Sequence, residues 1–266
     1  MSSKLEKRIE ALSRKNLNSF RVDPFGYDPE SIKLWMPIVH WLYQKYFRVH
    51  TVGASNIPTG RVLVVANHSG QLPFDAMMIS MAFMVEPKKP RLLRGMAERW
   101  SAELPFIGTL FARGGTIVGT PSACKTLLQN EEAVMVFPEG VGGISKLFKN
   151  RYKLAKFGHG FMRLAVETGT PILPVALIGA EEQAPSIANF KWLGKLFGTP
   201  GFPLIFPQII PLPLPVKYRI HIGKPIYFTG HGKESDEQIA NYVAQTKQRL
   251  QKMIDKGVQK RQSIFF

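Results

Sequence analysis

The chain reads as an α/β fold: a largely parallel central sheet flanked by helices, with further helices at the N-terminus. Three observations predict it. Short apolar runs of β type recur from residue 61 onward, as "RVLVVA", "RLLRG", "GTIVG", "AVMVF" and "PILPVALIG". Stretches of helical length separate or follow them, at 74–85, 96–112, 121–131, 158–169 and 181–197. Strands that alternate with helices pair in parallel, and a parallel strand is covered on both faces, so it reads as an unbroken apolar run. The third observation is composition: 45% hydrophobic and 20% charged residues belong to a globular chain. At 266 residues it has room for one large domain, which we place at 51–266 after an extension at 1–50.

Taken in order, "MSSKLEKRIEALSRKNL" has Leu5, Ile9 and Leu12 at helical spacing among Lys4, Lys7, Arg8, Arg14 and Lys15. This is a basic amphipathic helix, suited either to packing on the domain or to a membrane surface. It lacks the apolar core of a secretory signal, and no run of about 18 apolar residues is present to span a bilayer, which predicts a soluble or peripheral protein. "DPFGYDPES" has the chemistry of a connector, with Ser31 placed to cap a helix through Ile32, Trp35, Val39, Leu42, Tyr43, Tyr46 and Phe47. Its aromatics suit a core or a lipid headgroup boundary. Residues 200–215, "PGFPLIFPQIIPLPLP", carry too much proline for a helix or a central strand and predict an exposed or half-buried apolar loop. A strand at "KYRIHIG" and a basic helix over about 234–256 close the chain.

The formal net charge of +16 draws polyanions: nucleic acid, anionic lipid headgroups or a phosphorylated carrier. The aromatics do not alternate along a basic groove, so no nucleic-acid partner is expected. With one cysteine, Cys124, there is no internal disulfide and no cysteine-cluster metal site, and a buried thiol is expected.

Chemistry concentrates at "ANHSGQLPFD", residues 66–75. A base that takes a proton from an alcohol must be neutral near pH 7 and held in one tautomer, and a carboxylate on its far ring nitrogen supplies both. His68 and Asp75 are of the right types. Seven residues fully extended span up to roughly 23 Å, so the loop must fold back for them to meet, which Gly70 and Pro73 permit. By itself the pair also fits a turn. "FPEGVGG" places Glu139 and three glycines behind another strand, where backbone approaches a ligand without steric cost, though the nucleotide-binding phosphate-loop pattern is absent. Ligands of parallel sheets gather beyond the carboxyl ends of the strands, so both segments are expected to share one crevice. Lys146, Lys149, Arg151, Lys153 and Lys156 follow and suit donor or lipid phosphates, or a solvated basic face. His159 in "FGHGF" is expected to be structural or capping, and His221 a sheet residue.

In their order, "VGASNIPTG", "ANHSGQLPFD", "LPFIGTLFARGGTIVG", "VFPEG" and "TPILPVALIG" resemble the blocks of the glycerolipid acyltransferases, typified by lysophosphatidic acid acyltransferase, over roughly residues 50–228. The resemblance implies a glycerol-3-phosphate acyltransferase-like fold at a membrane surface on the cytoplasmic face. It implies that His68 deprotonates a glycerolipid hydroxyl, which attacks the thioester of acyl-CoA or acyl-carrier protein, with Asp75 orienting His68. Arg113 falls where the family holds an acceptor phosphate, Glu139 and Gly140 where it organises the acceptor site, and Asn67 in the same pocket. Neither a metal, a cofactor nor a covalent acyl-enzyme is implied. The family's usual block has four residues between His and Asp, whereas "SGQLPF" has six, which resembles the monoacylglycerol and diacylglycerol acyltransferase-like branch.

Overall fold

The computed structural model describes residues 3–12, 17–69, 73–103, 106–190, 192, 202–205 and 213–265, and the strands and α-helices named below lie among these. The strands are β1 (His50–Val52), β2 (Val62–Ala66), β3 (Leu93–Ala97), β4 (Ile117–Val118), β5 (Ala133–Val136), β6 (Ile172–Ile178), β7 (Ser186–Phe190), β8 (Phe202–Ile205) and β9 (Arg219–Ile222). The α-helices are α1 (Ser3–Leu12), α2 (Pro29–Trp41), α3 (Phe74–Val85), α4 (Arg99–Ala102), α5 (Ile107–Arg113), α6 (Pro121–Gln129), α7 (Val141–Ile144), α8 (Gly160–Glu167) and α9 (Asp236–Gln259).

Seven strands form one sheet in the order β1-β9-β6-β2-β5-β3-β4, and β7 and β8 pair separately as an antiparallel ribbon. Every neighbour pair in the sheet is parallel except β6 with β9. Successive side chains of a strand point to opposite faces, and β2 divides its own accordingly: Val62, Val64 and Ala66 enter one core, Leu63 and Val65 the other. The first core is covered by α1, α2 and α3, the second by α6, α8 and α9. All five residues of β2 and all seven of β6 are buried, so the middle of the sheet is sealed and open chemistry is left to its ends.

Several expectations are corrected. Helix α2 is capped by Asp28, not Ser31: the Asp28 carboxylate accepts the Glu30 and Ser31 N–H groups and Pro29 fills the first turn. The 96–112 stretch is two helices, α4 and α5. The 181–197 stretch is not one continuous helix: a 3-10 turn at Ala180–Glu182 leads into β7, and beyond Phe190 only Trp192, which is helical, is described. The proline-rich segment contributes β8, with residues 206–212 outside the described part. The apolar stripe of α1 faces protein: Leu5 and Ile9 are buried, and the Arg8 guanidinium donates to the Met84 and Pro87 carbonyls at the end of α3, at 2.9 and 3.0 Å. Of the basic residues expected to flank it, Arg14 and Lys15 lie outside the described residues.

Candidate active site

Strands β2 and β5 are parallel neighbours with Val65 opposite Val136, so the segments that leave their carboxyl ends emerge side by side. Asn67 and His68 follow β2, and Phe137, Pro138 and Glu139 follow β5. The element that follows β2 is α3, whose second residue is Asp75. Gly70, expected to help the loop fold back, lies outside the described residues. Across that loop His68 Nδ1 is 2.6 Å from Asp75 Oδ2.

Asp75 is wholly buried, and its carboxylate also accepts the Ser69 N–H at 3.0 Å and its neighbour Ala76's N–H at 2.7 Å. A carboxylate already receiving two backbone donors suits the His68 tautomer protonated on Nδ1, in which Nε2 keeps its lone pair. The ring lies flat on Phe137, centroids 4.2 Å apart and planes 17° from parallel. The His68 side chain keeps 21% of its exposure while that of Asp75 keeps none, the arrangement a reachable base with a shielded orienting group requires.

Glu139 meets His68 from the other side. Its Oε1 accepts the His68 N–H at 3.1 Å and its Oε2 the Ala155 N–H at 2.6 Å. Two glycines make this closeness possible. Gly140 has φ 50° and ψ −140°, a region essentially restricted to glycine. At Gly143, a side chain would bring its Cβ within 2.7 Å of the His68 Cβ.

The remaining residues singled out from the sequence divide. Asn67 is not free for a ligand: it is wholly buried, its Oδ1 accepts the Leu177 N–H at 2.8 Å and its Nδ2 donates to the Leu177 carbonyl at 2.9 Å. Its amide continues the hydrogen-bond ladder between β2 and β6 one step past the strand end. Lys146 is likewise removed from the solvated face: its side chain is 10% exposed, with Nζ 3.3 Å from Glu139 and 2.9 Å from Glu181. Lys149 and Arg151 remain exposed, the Arg151 guanidinium lying 4.5 Å above the Phe148 ring. Arg113 ends α5 with an exposed side chain, and its carbonyl accepts the Asp28 N–H. Burial opposes ionisation of Asp28, yet hydrogen bonds from Ser31 and Glu30 and the Arg113 charge hold its carboxyl below the ordinary value. His159 sits at the N-cap of α8 without a side-chain capping bond, and His221 lies in β9 opposite Ala176. Cys124 is buried, which pushes its thiol up to about 11.

Sequence reasoning missed Glu181. Burial pushes its carboxyl up against the opposing charge of Lys146, and its Oε2 accepts the Tyr152 N–H at 2.8 Å. The signal was available: "GAEEQ" sets two acids directly after a wholly buried strand, and acids that enter an interior need partners there.

Comparison with known proteins bears on this geometry. A family model described as Acyltransferase matches residues 48–178. An uncharacterised protein of Mycobacterium leprae is 36% identical over 266 residues, covering 96% of this chain and 72% of the relative. A probable 1-acyl-sn-glycerol-3-phosphate acyltransferase of Mycoplasma genitalium is 29% identical over 68% of this chain and 67% of its own. A chicken (Gallus gallus) protein named DGAT1/2-independent enzyme synthesizing storage lipids is 26% identical over 77% of this chain and 58% of its own. The crystal structure of the 1-acyl-sn-glycerophosphate acyltransferase from Thermotoga maritima superposes with a TM-score of 0.54 at 19% identity, over 99% of this chain and 85% of that one, and so shares the fold. From the matched family model, these relatives and the shared fold, the chain belongs to the glycerolipid acyltransferase family.

Proposed function

We propose that the protein moves a fatty acyl group from the thioester of acyl-CoA or acyl-carrier protein to the free hydroxyl of a lysophospholipid such as 1-acyl-glycerol-3-phosphate. The observation that carries this reading is the His68–Asp75 pair at the carboxyl end of β2. With Nδ1–H held by Asp75, the free Nε2 takes the hydroxyl proton while the oxygen attacks the thioester carbon. The C–S bond then breaks and the imidazolium returns its proton to the departing sulfur, giving an ester and a free thiol. A thioester carries a good leaving group, so a positioned base and alignment supply most of what the step needs.

Arg113 supports a phosphate-bearing acceptor: it is an exposed cation whose guanidinium fork suits a phosphate. The six-residue interval between His68 and Asp75 favours a second reading, acylation of monoacylglycerol or diacylglycerol. Thiol release from oleoyl-CoA, measured with lysophosphatidic acid and monoacylglycerol as paired acceptors, separates the two. The first reading predicts release with lysophosphatidic acid and an Arg113→Ala variant with raised KM for that acceptor alone. Release confined to monoacylglycerol would refute it in favour of the second.

The site of action in this proposal is an anionic membrane surface. No helix among the described residues is long and apolar enough to cross a membrane. Helix α2 leaves Leu34, Ile38 and Trp41 exposed at 83%, 64% and 53%, spaced along one helical face. Beside it, Trp35 of α2 meets Gly114 just after α5, which exposes Ile107 and Leu110. Exposed apolar side chains in a chain of net charge +16 match a bilayer bearing anionic headgroups.

A further inference from the structure

We propose that Lys146 and Glu181 are positioning residues for the base: together they hold the Glu139 carboxylate that fixes the main chain of His68. This rests on the reading of His68 as the proton acceptor. A carboxylate with no exposed surface keeps its place only with hydrogen bonds and a counter-charge. Glu139 has both. Its Oε1 takes the His68 N–H, its Oε2 the Ala155 N–H, and the Lys146 ammonium stands 3.3 Å from Oε2.

That ammonium is itself fixed. It is 2.9 Å from Glu181 Oε1 and 3.3 Å from the Lys153 carbonyl, so three acceptors surround a group with three donors. Glu181 is anchored in turn by the Tyr152 N–H. A continuous line of contacts therefore runs from the 3-10 turn behind β6, through Glu181, Lys146 and Glu139, to the backbone of His68. Asp75 holds the imidazole at Nδ1 and Phe137 supports its face, but both act on the ring and leave the backbone that carries it unfixed. Holding the main chain as well fixes where Nε2 points, and misplacement of a reacting group by about 1 Å costs on the order of a hundredfold in rate. Lys146 and Glu181 stand 35 residues apart and on different segments, so only the fold brings them together.

The test compares wild type, Lys146→Met and the double variant Lys146→Met with Glu181→Gln, all as the full chain. Three readings are taken: kcat and KM for both co-substrates, melting temperature, and the heteronuclear NMR signal of the His68 Nδ1–H. Lys146→Met leaves two buried carboxylates without their shared cation and is expected to melt lower. The double variant removes one of those charges and is expected to regain most of the melting temperature. If the network positions the base, kcat falls about tenfold or more in both variants with each KM within about twofold, because the loss lies in proton transfer and not in binding. The His68 Nδ1–H signal shifts or broadens in both. Recovery of kcat together with melting temperature in the double variant, or an unaltered His68 signal in both variants, overturns the proposal. A wild type that transfers no acyl group would refute the proposed function, while the NMR reading would still decide for or against the network.

Discussion

Asn67 stands beside His68 and does the work of a strand. Its amide satisfies both the N–H and the carbonyl of Leu177, which the end of β2 would otherwise leave unpaired in the interior. An unpaired buried backbone group costs about 1–3 kcal/mol. Asn67→Ala is therefore expected to lower stability by about 2 kcal/mol or more, some 4 °C or more in melting temperature for a chain of this size. The KM for the acceptor should stay unchanged in the molecules that remain folded. Normal stability with a raised KM would return Asn67 to the substrate pocket. That His68, Asp75 and Glu139 would meet was legible in the sequence, because their place behind apolar runs and the neighbouring glycines all point to one strand-end crevice. The role of Asn67 was not legible, since it depends on which strand pairs with β2. Nor was that of Lys146, whose lysine-rich surroundings read as a solvated face until Glu181 was brought against it.

At the scale of elements, the central strands were legible because burial on both faces leaves an unbroken apolar signature, as in "VLVVA" and "ILPVALI". Helix α3 was equally plain. The misreading of 181–190 has a physical cause. "GAEEQ" has helical propensity, but Glu181 and Glu182 are drawn inward by ion pairs to Lys146 and Arg261, and these tertiary contacts override local preference. The cap of α2 was signalled by Asp28 followed by Pro29, a pair that equally fits a connector turn. For α1, periodicity gave the stripe but not its partner, which is the protein itself. Membrane contact is consequently expected from α2 and not α1. Replacing Leu34, Ile38 and Trp41 together with serine should strongly reduce co-sedimentation with phosphatidylserine-containing vesicles and leave the melting temperature near wild type, because these side chains are solvent-exposed. Undiminished vesicle binding would contradict this.

For the molecule as a whole, strand alternation predicted the α/β fold and the ordered blocks carried the resemblance to an acyltransferase, while the net charge did not tell where its cations would lie. Part of it is internal: Arg94, 3% exposed, pairs with Asp23 and Glu132, and Arg261 pairs with Glu182. The topology explains the position of the site. Four parallel strands, β6, β2, β5 and β3, run side by side, and the loops leaving β2 and β5 bring His68, Asp75 and Glu139 into contact. In the proposed reaction His68, oriented by Asp75, removes the acceptor proton. The most direct test is the rate of thiol release from acyl-CoA in the presence of acceptor for wild type, His68→Ala and Asp75→Asn, with circular dichroism confirming that all three are folded. A fall in kcat of about 10² to 10⁴ is expected for His68→Ala, the contribution of a positioned base, and a substantial fall for Asp75→Asn. Folded variants that release thiol at the wild-type rate would contradict the proposed reaction.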